Sequence, residues 1–293
     1  MEPPRALYRE FPHGRWACLA DKQRIDQDAR SMDSLTAALL GLVQGVSEFL
    51  PISSDGHLVI FEQLLGVGDE GGLSFVIAVH VGSLLALLLF YRLRIAGLLR
   101  GLMSRDAAAL ADIAKLAIAT LPAVVVGLTL KERVEAAFHT PWMAGAGLLA
   151  TGCFLITTKR TLPTARAASP SYGQAFAIGC AQALAVLPGV SRSGSTIALA
   201  LALGVAPLAA AEFSFLLGII AITGAAVLDL PALRAAGDGD GAGSMLLGAG
   251  VAALSGFAAL AVLRRVITSR KFHAFAYYCW AAGAAFLAYC WLS

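Results

Sequence analysis

Glutamate, histidine and arginine are grouped with serines in two short stretches of this chain, each set among long apolar runs. The first reads Gln44-Gly-Val-Ser-Glu48-Phe-Leu-Pro51-Ile-Ser53-Ser54-Asp55-Gly56-His57. The second reads Gln182-Ala-Leu-Ala-Val-Leu-Pro188-Gly189-Val-Ser191-Arg192-Ser193-Gly194-Ser195-Thr196. Both leave an apolar helix through Leu-Pro, cross a Ser/Gly-rich break and re-enter an apolar helix. Ionisable groups among membrane spans are costly, and a broken helix there lines a site rather than facing lipid.

The second stretch has the chemistry of anion binding. Pro188-Gly189 ends one helix, and Ser193 or Ser195 is expected to cap the next, starting near Thr196. The free N–H groups and positive dipole end at that start attract phosphate. Arg192 adds a forked charge suited to two phosphate oxygens. Ser191, Ser193, Gly194 and Thr196 complete the expected substrate contacts. The plain alternative is an arginine reaching for a lipid headgroup, and the Ser/Gly density around it argues against that.

The first stretch supplies what the second lacks. Pro51 breaks the helix, Ser54 or Asp55 is expected to cap the next one, and His57 falls in its first turn. Gln44 and Glu48 share a helix face through i, i+4 spacing. A carboxylate and an amide so placed can hold a divalent cation through oxygen. His57 can move a proton near neutral pH or attack directly. Phosphoryl transfer asks a protein mostly for positioning and charge stabilisation. The two stretches together offer both, with Ser54, His57 or an activated water acting on the phosphorus.

These groups need membrane elements to position them. The chain has 293 residues, 58% hydrophobic and 14% charged, with a mean hydropathy of +0.74. A soluble domain carries about a quarter charged residues. Apolar runs at 74–91, 113–130, 142–157, 213–228, 245–263 and 272–292 approach the ~20 residues that cross a bilayer. Basic loops (Arg92, Arg94, Arg100 and Arg105; Lys159, Arg160 and Arg166; Arg264, Arg265, Arg270 and Lys271) alternate with mixed or acidic ones. The positive-inside rule places the basic loops in the cytoplasm. They answer to anionic lipid, so no nucleic-acid partner is expected.

Counting crossings puts the first stretch on the outer side and the second on the inner side. Pro51 then corresponds to Pro188 and Phe75 to Phe215, an inverted-topology repeat. The expected architecture is an all-α polytopic membrane protein over residues 32–293. Residues 1–31, with three prolines and six basic side chains, read as a poorly ordered tail; Met32 would serve equally well as a start. The five cysteines lack metal-ligand spacing and are expected to be small buried hydrophobes.

Residues Gln44 to His57 and Leu187 to Thr196 resemble the two signatures of bacterial undecaprenyl-diphosphate phosphatase, the family linked to bacitracin resistance. The likeness continues through Ala211-Glu-Phe-Ser-Phe-Leu-Leu217 and covers roughly residues 32–293. It implies about six spans plus two re-entrant helical hairpins meeting at mid-membrane. It also implies a multi-pass enzyme of the bacterial inner membrane, its active site open to the periplasm. Such an enzyme hydrolyses undecaprenyl diphosphate to undecaprenyl phosphate, recycling the lipid carrier of peptidoglycan synthesis. A divalent cation, Mg2+ or Ca2+, is implied at Glu48 and Gln44. Bacitracin would act indirectly, by binding the lipid substrate, and a homodimer is compatible with the resemblance.

Carried over by position, the catalytic residues are Glu48, Ser54, His57 and Arg192, and Ser53, Asp55 and Gly56 join the substrate contacts. Gln44 stands where many members have a second glutamate; it can bind metal but cannot be a base. Asp55 occupies a position often filled by threonine. A carboxylate there repels a diphosphate unless it binds metal or turns away, and capping the helix is its favoured role. His80 and Lys115 either line the lipid groove or pack through hydrogen bonds, and Glu212 is expected to orient the Arg192 loop. The competing functions are an inverted-repeat transporter or lipid flippase, and a non-catalytic lipid-binding scaffold.

Overall fold

The computed structural model describes residues 33–66, 72–230 and 241–292. The expected tail at 1–31, together with Arg234, Asp238 and Asp240, lies outside them. The described chain is helical, in the order α1 (Ser34–Phe49), α2 (Ser54–Leu65), α3 (Gly72–Phe90), α4 (Arg92–Met103), α5 (Ala107–Thr129) and α6 (Lys131–Phe138). There follow α7 (Pro141–Thr161), α8 (Tyr172–Leu184), α9 (Arg192–Ala202), α10 (Pro207–Leu228), α11 (Ala242–Thr268) and α12 (Phe275–Leu292), the last entered through a 3-10 turn at Phe272–Ala274.

Among the described residues, α5, α7, α10, α11 and the run Phe272–Leu292 are each long and apolar enough to cross a membrane. A sixth span comes from α3, which bends by 73° into α4. The helices around the two breaks are different. They have 16, 12, 13 and 11 residues, or about 24, 18, 20 and 17 Å, each short of a ~30 Å hydrocarbon core. These are the two expected hairpins.

Small residues fix where the hairpins sit. Gly41 lies against the backbone of Gly248, Gly45 against Ala252, and Phe49 against Gly256, so α1 runs parallel to α11. On the other side, Lys115 bonds Ser169 at 2.6 Å and lies over the Tyr172 ring, while Gly179 abuts the backbone of Ala119. Helix α8 therefore runs parallel to α5. Such backbone-to-backbone approach is how helices gain dispersion contact where lipid removes the hydrophobic drive.

The same contacts give the topology. Arg94 bonds both Asp112, near the start of α5, and Glu212, near the start of α10. Arg94, Glu212 and Arg264 also line one cavity near the end of α11. These ends share a face. The loop after α7 joins it, with Arg166 and Ala167 donating to Gly204 ahead of α10. All three basic loops thus gather on one face. Hairpin α8–α9 enters from that face, and α1–α2, which starts beside the opposite end of α11, enters from the other. The repeat is inverted, as the charge count predicts.

Two expectations change here. Glu212 pairs with Arg94 at 2.7 Å and not with the Arg192 loop, because its helix begins on the basic face, away from the breaks. Cys153 and Cys180 are exposed, and only Cys279 among the described cysteines is fully buried. In a bilayer an apolar residue can face lipid as readily as core, so hydrophobicity does not imply burial.

Candidate active site

The first break owes its shape to Pro51 and Ser53. Helix α1 ends at Phe49, and Leu50 turns extended, as a residue before proline prefers. Ser53 sits in the left-handed region at φ 69°, uncommon for a residue with a Cβ. Its hydroxyl accepts from the N–H of Gly56 at 3.3 Å. Ser53 is therefore the cap of α2, where Ser54 or Asp55 was expected. The positive φ at Ser53 starts the helix one residue earlier and releases both of the others.

Ser54 uses that freedom to donate to Oε2 of Glu48 at 2.5 Å. Asp55 turns to Nε2 of His80 at 3.4 Å, so it faces a histidine of α3 instead of capping its own helix. Glu48, 7% exposed, is the hub. Gln44 Nε2 donates to Oε2 at 3.2 Å, His80 Nε2 stands 3.9 Å from the same oxygen, and Arg192 Nη2 pairs with Oε1.

The second break is pinned by α7. Gly189 has φ 84° and packs against Ala144 and Gly147, leaving no room for a Cβ. Thr151 donates to the Gly189 carbonyl at 2.9 Å and accepts from the Ser191 N–H at 2.8 Å. Ser191 then caps α9, accepting from Gly194 N–H at 3.0 Å. The helix begins at Arg192, four residues before Thr196, because Ser191 reaches the cap before Ser193 or Ser195. Its carbonyl and hydroxyl take up the N–H groups of Ser195 and Gly194. Those of Arg192 and Ser193, in the first turn, have no intrahelical acceptor and stand at the positive helix end.

The two breaks touch. A Cβ on Gly56 would come within 2.8 Å of the Gly189 Cα, and Gly194 lies against Pro51. Ser193 donates across the junction to the Leu50 carbonyl at 3.5 Å. Beside it a cavity of about 330 Å³ is lined by Glu48, Ser53, Ser54, Asp55, Ser191 and Arg192, among others. It extends to Phe138 and Asp229, at the ends of α6 and α10, on the face opposite the basic loops.

The expected site residues divide accordingly. Glu48, Ser53, Ser54, Asp55, Ser191 and Arg192 meet at the cavity. Gly56, Ser193 and Gly194 build the junction behind it, and Thr196 is buried against Ser214 at 2.6 Å. His57 is buried, with Nδ1 2.8 Å from the Ser53 carbonyl and Nε2 2.7 Å from the Tyr278 hydroxyl. The histidine that lines the cavity is His80. Lys115 stays with Asp112 and Ser169 on the basic face.

Sequence reasoning passed over Gln182, which is 3% exposed and lines the cavity. Among the described residues its amide N and O, Gln44 Oε1 and Arg192 Nη1 are buried without a hydrogen-bond partner. The signal was present, since Gln182 precedes Pro188 much as Gln44 precedes Pro51. Gly218, too, was overlooked: the Arg192 guanidinium lies on it where a side chain would otherwise stand.

The family model described as "Bacitracin resistance protein BacA" matches residues 37–285. The chain is 40% identical over 261 residues to "Undecaprenyl-diphosphatase 2" of Rhodospirillum rubrum, covering 88% of this chain and 95% of that protein. It is 39% identical over 265 residues to "Undecaprenyl-diphosphatase" of Trichlorobacter lovleyi, covering 88% and 97%. To the protein of that name from Rhodopirellula baltica it is 42% identical over 256 residues, covering 85% and 95%. With the family model spanning most of the chain and both signatures folded into one cavity, this protein belongs to the BacA bacitracin resistance family.

Proposed function

We propose that the chain is a membrane hydrolase that converts undecaprenyl diphosphate to undecaprenyl phosphate and inorganic phosphate. The observation that carries the reading is the Ser54–Glu48–Arg192 chain, a nucleophile bonded to a carboxylate whose other oxygen holds a guanidinium. Names borne by the relatives point to the same substrate.

In this reading Ser54 Oγ attacks the terminal phosphorus and passes its proton to Glu48. The Ser54–phosphorus bond forms as the bridging P–O bond breaks, and undecaprenyl phosphate leaves. Water then attacks the phosphoserine, the proton returns to Ser54, and phosphate is released. The Arg192 guanidinium and the helix-start N–H groups of Arg192 and Ser193 stabilise charge on the transferred group.

The residues present fit a divalent cation. Gln44 Oε1 is a buried oxygen without a partner beside Glu48, and Asp55 brings a second carboxylate to the cavity. Among the described residues no group of three His, Cys, Asp or Glu side chains forms a complete protein cage. Mg2+ is commonly held by one or two carboxylates plus substrate phosphate, and Glu48 and Asp55 offer two at the cavity. Glu48, Gln44 and Asp55 would hold it, and its chemistry would be neutralisation of the diphosphate.

We read the enzyme as multi-pass in the bacterial inner membrane. With the basic loops cytoplasmic, the cavity faces the periplasm, where bacitracin would compete by sequestering the lipid diphosphate. The test is phosphate release from a C55 diphosphate by the purified protein in detergent, stopped by EDTA. Transport of the lipid in liposomes without phosphate release would overturn the reading. Cysteine labelling from outside intact cells tests the orientation: a Cys at Thr140 should label and one at Ser104 should not.

A further inference from the structure

Resting on that phosphatase reading, we propose that Tyr278 is a positioning residue for the reaction, acting through His57 on the turn that aims Ser54. The contacts run in one line across three elements. Tyr278 lies on α12, far along the chain from His57 on α2, yet its hydroxyl is 2.7 Å from His57 Nε2. The two rings stack with centroids 5.7 Å apart and planes 11° from parallel. His57 Nδ1 is 2.8 Å from the Ser53 carbonyl. A carbonyl only accepts, so Nδ1 carries the proton and, in the neutral ring, Nε2 accepts from the tyrosine. Among the described residues no carboxylate forms an ion pair with this ring, whereas His80 has two such neighbours.

The carbonyl at the end of this relay belongs to Ser53, the residue at φ 69°. A side-chain-bearing residue keeps such a conformation only when its surroundings over-determine it. Here the determinants are the His57 ring, the His57 N–H at 3.1 Å on the same carbonyl, and the Gly56 N–H on the Ser53 hydroxyl. Helix α12 touches the break a second time through Cys279, whose thiol donates to the Pro51 carbonyl at 3.6 Å. The next residue after Ser53 is Ser54, whose hydroxyl must stay on Glu48. With both ring nitrogens occupied and its ring outside the cavity lining, His57 braces the nucleophile's turn and does not attack phosphorus itself.

Tyr278→Phe tests this, because it keeps the stacked ring and removes only the donor. We expect kcat for phosphate release from C55 diphosphate to fall about tenfold with KM shifted less than about twofold, the pattern of an interaction that matters in the transition state. Adding Tyr278→Phe to His57→Asn should cost nothing more, since the two act as one unit. In ¹⁵N-histidine spectra of the detergent-solubilised protein, the His57 Nε2 resonance should move in Tyr278→Phe. An unchanged kcat, losses that multiply in the double variant, or an unmoved resonance each overturn the proposal. A wild type that releases no phosphate would instead sink the phosphatase reading, and the resonance would still decide whether Tyr278 holds His57.

Discussion

Ser54 Oγ and Glu48 Oε2 lie 2.5 Å apart although Pro51 separates their helices, and Arg192 from the other hairpin closes on the second oxygen of the same carboxylate. One buried charge therefore ties the nucleophile's turn to the phosphate-binding turn. Glu48→Gln and Ser54→Ala should each lower turnover by at least ~100-fold, the scale of losing a nucleophile's base or a charge-stabilising group. Glu48→Gln should also unfold more easily, by about 3–5 kcal/mol, because it strands Arg192 in a low-dielectric interior. Ser54→Ala should melt near the wild type. Phosphate release and thermal melts in one detergent separate the two effects.

Gly218 on α10 is the floor under Arg192. A methyl group there would overlap the guanidinium, and the arginine's far end can shift where backbone cannot. Gly218→Ala should therefore fold but misplace the charge, and displacements near 1 Å cost on the order of 100-fold in rate. Gly147→Ala is the contrast, since its new Cβ would meet the backbone of Pro188 and Gly189. That variant should lose stability and expression as well as activity. Equal melting temperatures for the two would defeat the distinction.

The fold was legible because its signals are coarse. Long apolar runs, alternating loop charge and two proline breaks were enough for the spans and the inverted repeat. The caps were not, and the reason is local. Several serines stand within reach of each helix start, and the choice fell to Ser53 through a positive φ that sequence does not announce, and to Ser191 through Thr151, which lies 40 residues away. His80 and Asp55 were seen singly, but only the fold, which brings a histidine of α3 beside the first turn of α2, makes them a pair. Tyr278 carries no motif at all. Its partner is 221 positions away.

Gln182 offers a test of what the cavity holds. Its buried amide has no partner among the described residues, and a buried orphan of this kind costs about 1–3 kcal/mol. A bound diphosphate accepting from Nε2 would remove that cost. Gln182→Leu should then raise KM by about tenfold while leaving the melting temperature of the ligand-free protein equal or higher, as expected when an unsatisfied group is replaced by an apolar one. A variant that melts lower with an unaltered KM would assign the amide to packing instead.

Asp55 bears on the cation. Its carboxylate lines the cavity beside Glu48, 3.4 Å from His80. If it supplies an oxygen to the metal, Asp55→Asn should weaken that metal, since a neutral amide oxygen replaces a charged one. We expect the Mg2+ concentration for half-maximal phosphate release to rise about tenfold with little change at saturating Mg2+, and Mn2+ binding followed by electron paramagnetic resonance to weaken in parallel. His80→Gln isolates the other possibility, that Asp55 matters only through its histidine partner. Should His80→Gln reproduce the metal shift of Asp55→Asn, the carboxylate acts by holding His80. Should it leave Mn2+ affinity intact, the oxygen of Asp55 itself belongs to the cation.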